Sequence, residues 1–160
     1  MKREQVRTIV LYYASLPATE KALRQERQEL EESYNGLRGA SDDPIATGGV
    51  PGKPTEMLAV SLAEKGTGKR LAEIEKTLRV WEADAEAIRQ AMDAVNGRYK
   101  RVIYLRYIRG YSWAKISVQL GVPDSTVRFW TDRALDRIGE AFGETESTLQ
   151  ILQRASRART

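Results

Sequence analysis

The sequence predicts an all-α protein: a long helical hairpin or coiled coil in the N-terminal half, followed by a helix-turn-helix bundle. Three observations carry that expectation. The 160 residues are 41% hydrophobic and 30% charged, which places the chain on the charged, helix-rich side of the globular class. Two long stretches space their apolar residues at alternating intervals of three and four. Residues 112–142 then read as a short helix, a sharp turn and a second helix.

The first stretch runs from Lys2 to about Leu37, with Val6, Ile9, Tyr13, Leu16, Leu23, Leu30, Tyr34 and Leu37 in its stripe. Glu20 and Arg27 take the polar exceptions, and Pro17 is expected to kink or restart the helix after Ser15-Leu16. Residues 36–54 are rich in Gly, Pro, Ser and Asp and read as a flexible loop. The second helical region opens with Thr55 as its cap and is expected to loosen at Gly66-Thr67-Gly68. It then tightens through Leu71, Ile74, Leu78, Trp81, Ala85, Ile88, Met92 and Val95. Two such stripes suit an antiparallel hairpin within one chain or a dimerising coiled coil. The hairpin is favoured, since each stripe needs a partner and the other is at hand. Residues 1–96 thus form a helical unit for oligomerisation or partner binding.

Asn96-Gly97 tolerates positive φ and ends that unit. Arg98 to Ile108 forms a basic and aromatic helix, seated by Val102, Ile103, Leu105, Tyr107 and Ile108. Ser112 caps the next helix, whose apolar positions are Trp113, Ile116 and Leu120. Gly121 supplies the left-handed turn, Val122 plugs the angle, and Asp124 or Ser125 can cap the second helix. That helix buries Val127, Trp130, Ala134, Leu135, Ile138 and Phe142. Residues 97–143 are therefore expected to be a DNA-binding domain. Residues 144–160 are weakly amphipathic through Leu149, Ile151 and Leu152 and are expected to fray as a basic tail.

The residues left outward on the second helix define the candidate site. Thr126, Arg128, Phe129, Asp132 and Arg133 are placed to read base edges, with Arg128 suited to a bidentate pairing with guanine. Arg98, Lys100, Arg101, Arg109, Lys115 and Ser125 are the candidate phosphate contacts. The plainer alternative is a helical hairpin with a solvated charged face. Charge placement favours the first reading. Residues 97–160 hold twelve Lys and Arg against six Asp and Glu, whereas residues 1–96 hold fourteen against sixteen.

Composition also excludes. With no Cys and no His, disulfides, thiolate nucleophiles, nearly every zinc site and histidine acid-base chemistry are unavailable to the chain. Asp132 and Asp136 stand at i, i+4 spacing, which suits salt bridges better than an acid pair. Gly66-Thr67-Gly68-Lys69 lacks the upstream Gly and the Ser/Thr of a phosphate loop. No catalytic role, cofactor or metal is expected. No segment is apolar for long enough to span a bilayer, and Met1-Lys2-Arg3 leads into amphipathic helix, so a cytoplasmic protein with no membrane partner is expected.

The run Tyr99–Ile138 resembles the promoter-reading C-terminal region of bacterial sigma factors. The resemblance rests on Arg101-Val102-Ile103, Leu105-Arg106-Tyr107, Gly110-Tyr111-Ser112-Trp113, Ile116, Leu120-Gly121-Val122, Asp124-Ser125-Thr126-Val127-Arg128 and Arg133-Ala134-Leu135. Ser117 departs from the usual Ala, and Pro123 from the more frequent Ser. The pair Tyr111/Trp113 and the upstream heptad helix are closer to phage and prophage regulators of the ArpU/RinA type, which join a sigma-like module to a helical half. This resemblance implies a sigma-region-4-like helix-turn-helix that binds double-stranded DNA and activates phage late genes; the helical half is then expected either to form a homodimer or to engage RNA polymerase. The other class considered is a small terminase subunit, which also combines a helix-turn-helix with oligomerising helices but generally in the reverse order.

Overall fold

The computed structural model describes the backbone of residues 1–41 and 54–160, and the side chains of residues 1–36 and 61–160. Among the described residues there are six α-helices and no strand. They are α1 (Arg3–Ser41), α2 (Pro54–Asp93), α3 (Gly97–Ile103), α4 (Trp113–Leu120), α5 (Asp124–Phe142) and α6 (Glu146–Ala158). A π-helical turn, Tyr104–Ile108, continues α3. No helix of the described residues is long and apolar enough to cross a membrane.

The chain divides into two compact units. One comprises Ala18–Trp81; the other joins Met1–Pro17 to Glu82–Thr160. In the first, the two long helices return side by side. Glu26, fifteen residues before the end of α1, receives Arg70 Nε and Nη2 at 2.7 and 3.0 Å, and Arg70 stands sixteen residues after the start of α2. Nearly equal distances from the ends of the two helices make this an antiparallel hairpin. Ile74 and Leu78 are buried there, while Leu23, Leu30 and Leu71 are half-buried. The helix runs through Gly66-Thr67-Gly68 without a break. Of the loop expected at 36–54, residues 36–41 and Pro54 are helical, and residues 42–53 lie outside the described residues.

In the second unit, the start of α1 is enclosed on more than one side. Val6, Ile9, Val10, Tyr12 and Leu16 are all buried, a wider face than the expected stripe, because α1 meets α2, α5 and α6 here. Gly139 of α5 lets α1 approach closely: a Cβ there would lie 3.1 Å from Val6 Cγ2. Arg3 forks onto Asp136 at 2.6 and 2.8 Å. The helix continues past Pro17 without restarting, and the unit boundary falls at that residue.

Residues 144–160 do not fray. Thr145 caps α6 by accepting from the Thr148 amide, and Thr148, Ile151 and Ala155 are buried. Arg154 reaches back to Asp84 of α2 with Nη2 and Nε at 2.6 and 2.7 Å, while the Tyr12 hydroxyl donates to the same carboxylate at 3.0 Å. Asp84 is only 3% exposed, so this triad satisfies a buried charge from two sides. Burial, then the bond to Asp84, holds the Tyr12 phenol well above its ordinary range.

The helix-turn-helix has its own core. Val102, Leu105, Ile116 and Val127 are buried together, with Tyr111, Trp113, Leu120, Val122 and Trp130 packed against them. Ser112 caps α4 by accepting the Lys115 amide, and Gly121 ends it at φ +64°. Ser117, the departure from Ala, gives its hydroxyl to the Val122 carbonyl and ties the turn. Pro123, rather than Asp124 or Ser125, occupies the cap position of α5; its carbonyl receives the Thr126 and Val127 amides. Asp124 thereby sits in the first turn, where its charge suits the helix dipole.

Candidate nucleic-acid interface

The inward face of α5 carries Val127, Thr131, Ala134, Leu135 and Ile138, all buried. About half a turn away, Ser125, Arg128, Phe129 and Arg133 are exposed on a shared face, and Thr126 is half-buried at its edge. Phe129 keeps 53% of its surface exposed, an unusual cost for an aromatic side chain unless something covers it. The Arg133 guanidinium lies 5.4 Å from its ring centroid.

Arg128 is preoriented. Its Nε donates to Asp124 one turn earlier at 2.9 Å, and its Cζ stands 4.9 Å from the Trp113 ring centroid. Both terminal nitrogens stay available, since the side chain is 57% exposed. Asp132 differs from its neighbours. Arg3 of α1 approaches it at 3.3 Å, so this carboxylate enters the face already compensated by a cation.

The candidate phosphate contacts fall into groups. Lys115, in the first turn of α4, has its Nζ 3.8 Å from the Tyr111 ring centroid. Arg98 stacks on Trp130 at 5.1 Å and on Tyr99 at 5.4 Å, beside Arg137, which stands 4.5 Å from Tyr99. Lys100 is tied to Asp93 at the end of α2 and contributes least net charge. Arg101 and Arg109 are exposed. Arg98 and Arg137 thus share the Tyr99 ring, whereas Lys100 is drawn toward α2.

A capped short helix, a left-handed glycine turn and a longer helix with an exposed basic-aromatic face together define a helix-turn-helix. Residues 85–138 match the family model of sigma-70, region 4. The match starts within α2, upstream of the boundary expected at residue 97, and agrees with the structural unit that takes in Glu82 onward. No curated protein and no solved structure matches the chain. The sigma-like helix-turn-helix is thus recognised over about a third of the chain, from late α2 through most of α5.

Sequence reasoning missed Arg3 and Arg7, which α1 brings beside this region: Arg7 Nε donates to the Tyr107 hydroxyl at 3.2 Å. The signal was present as two basic residues at i, i+4 spacing, but nothing local ties them to residues 100 and more positions later.

Proposed function

We propose that this protein is a sequence-specific double-stranded DNA-binding transcriptional regulator. The observation that carries the reading is the outward face of α5 in a sigma-like helix-turn-helix, where Arg128, Phe129 and Arg133 stand exposed over a buried core. In such a fold the start of the second helix enters the major groove, and the first helix crosses the backbone. Thr126, Arg128, Phe129 and Arg133 read bases, with Asp132 held by Arg3. Ser125, Lys115, Arg109, Arg101 and Arg98 contact phosphates, and Lys100 supports them. The role is non-catalytic and cytoplasmic. The helical hairpin supplies a dimer contact or a surface for RNA polymerase, and the arrangement suits a phage or prophage late-gene activator.

Selection of bound duplexes from a random pool at two salt concentrations tests the reading. An enriched motif is expected, with affinity falling steeply as salt rises. Recovery of random sequence would overturn it. The order of parts, hairpin before helix-turn-helix, favours this reading over a small terminase subunit. Light scattering separates the two: a monomer or dimer fits a regulator, and a ring of eight or more subunits fits a terminase.

A further inference from the structure

Beside Arg128 of the sigma-like helix-turn-helix lie two further arginines, Arg7 and Arg106, that the reading above does not use. Arg7, Arg106, Tyr107, Gly110, Trp113 and Arg128 line an open cleft of about 480 Å³. Its three arginines come from three elements: α1, the π-helical turn and α5. Each is fixed by two neighbours while its side chain keeps other N–H groups. Arg7 donates Nε to Tyr107, and its side chain remains 39% exposed. Arg106 gives Nη1 to the Tyr111 carbonyl at 2.9 Å and stacks 4.3 Å from the Trp113 ring centroid. Arg128 lies over the same ring, its Nε on Asp124.

Arg106 leaves room for an anion, because a carbonyl and a ring hold it rather than a carboxylate. The other two guanidiniums are answered: Arg7 by Glu4, 2.9 Å from Nη1 and 72% exposed, and by Asp132, which Arg3 shares, and Arg128 by Asp124, 48% exposed. Planar guanidiniums match phosphate oxygens better than any other side chain. The cleft is too open to enclose a small molecule, which ordinarily loses most of its surface on binding. It borders Trp113, the first residue of α4, and Arg128 in the early turns of α5, the parts of a helix-turn-helix that lie against a duplex.

We propose that this cleft seats one backbone phosphate of a bound duplex between Arg7 and Arg106, so that the first turns of α1 belong to the DNA-docking surface. The assignment rests on the duplex-binding reading of the helix-turn-helix. Tyr107, buried and bonded to Arg7, is its positioning residue.

The test compares Arg7→Gln and Arg7→Lys with the unaltered chain on a selected duplex and on a scrambled one, across a salt series. Arg7→Gln should weaken both duplexes alike and reduce the slope of log affinity against log salt by about one. Arg7→Lys, which keeps the charge, should retain most of the slope. An unchanged slope in Arg7→Gln with tight duplex binding overturns this inference and leaves the proposed function standing. Failure of the unaltered chain to bind any duplex overturns both. Should Arg7→Gln lose its fold in a thermal melt, Glu4→Gln answers instead: releasing Arg7 from its carboxylate should tighten both duplexes, and no gain contradicts the assignment.

Discussion

Arg128 illustrates how a single side chain is prepared for recognition before a ligand arrives. Asp124 and Trp113 restrict it from two sides, so less rotamer entropy is lost when its terminal nitrogens find a base. Arg128→Ala is expected to cost about 1–3 kcal/mol and to relax choice at one base position. Lys115→Ala should weaken all sequences alike. Comparing the two variants' enrichment profiles with the parent's distinguishes these outcomes, and identical profiles would speak against the assigned roles. Arg3 adds a compensating effect. Without it, Asp132 would present an unpaired carboxylate beside phosphates, so Arg3→Ala should weaken duplex binding even though Arg3 need not touch DNA. Elsewhere, Asp84 is a structural residue. Asp84→Ala leaves Arg154 and Tyr12 without their acceptor and should cost about 3 kcal/mol, the low end for a broken buried pair because Arg154 is one-third exposed. Urea unfolding measures it.

At the scale of elements, the turn between α4 and α5 depends on Gly121. Its φ of +64° is left-handed and no other atom crowds the position, so Gly121→Ala should destabilise by about 1–2 kcal/mol through backbone strain alone. Chemical denaturation checks this, and an unchanged midpoint would contradict it. This turn was legible in the sequence because cap, glycine and apolar spacing are all local rules. So were both long helices, whose periodicity repeats over many turns. The π-helical turn at Tyr104–Ile108 was not legible, since one added residue per turn barely disturbs a short apolar pattern. Nor was the docking of α6, whose buried face makes sense only with Asp84, 70 residues earlier in the chain. Val10 and Tyr12 fell outside the expected stripe for the same reason: partners distant in sequence cover them. The exposed face of α5 could be read as a site, but the pairing of Asp132 with Arg3 could not.

For the whole molecule, the absence of histidine has a consequence in solution. No side chain with an ordinary pKa titrates between about pH 6 and 7, so stability and duplex affinity should both stay level across that range. Acid is different. The hydrogen bond from Arg3 holds the Asp136 carboxyl below its ordinary value of 3.8, and Lys100 does the same for Asp93. A carboxylate whose pKa is lowered on folding contributes stability above the unfolded-state value and loses it as pH falls through the folded one. Urea midpoints should therefore decline as pH drops from about 5 toward 3. A decline already present at neutral pH would contradict the ion pairs described.

The most direct measurement is guanine methylation interference on a selected duplex, performed with the parent protein and with Arg128→Ala. If the outward face of α5 lies in the major groove, N7 methylation of a particular guanine should block the parent and cease to discriminate in the variant. Interference that is identical for both proteins, or absent at every guanine of a guanine-containing site, would contradict the account.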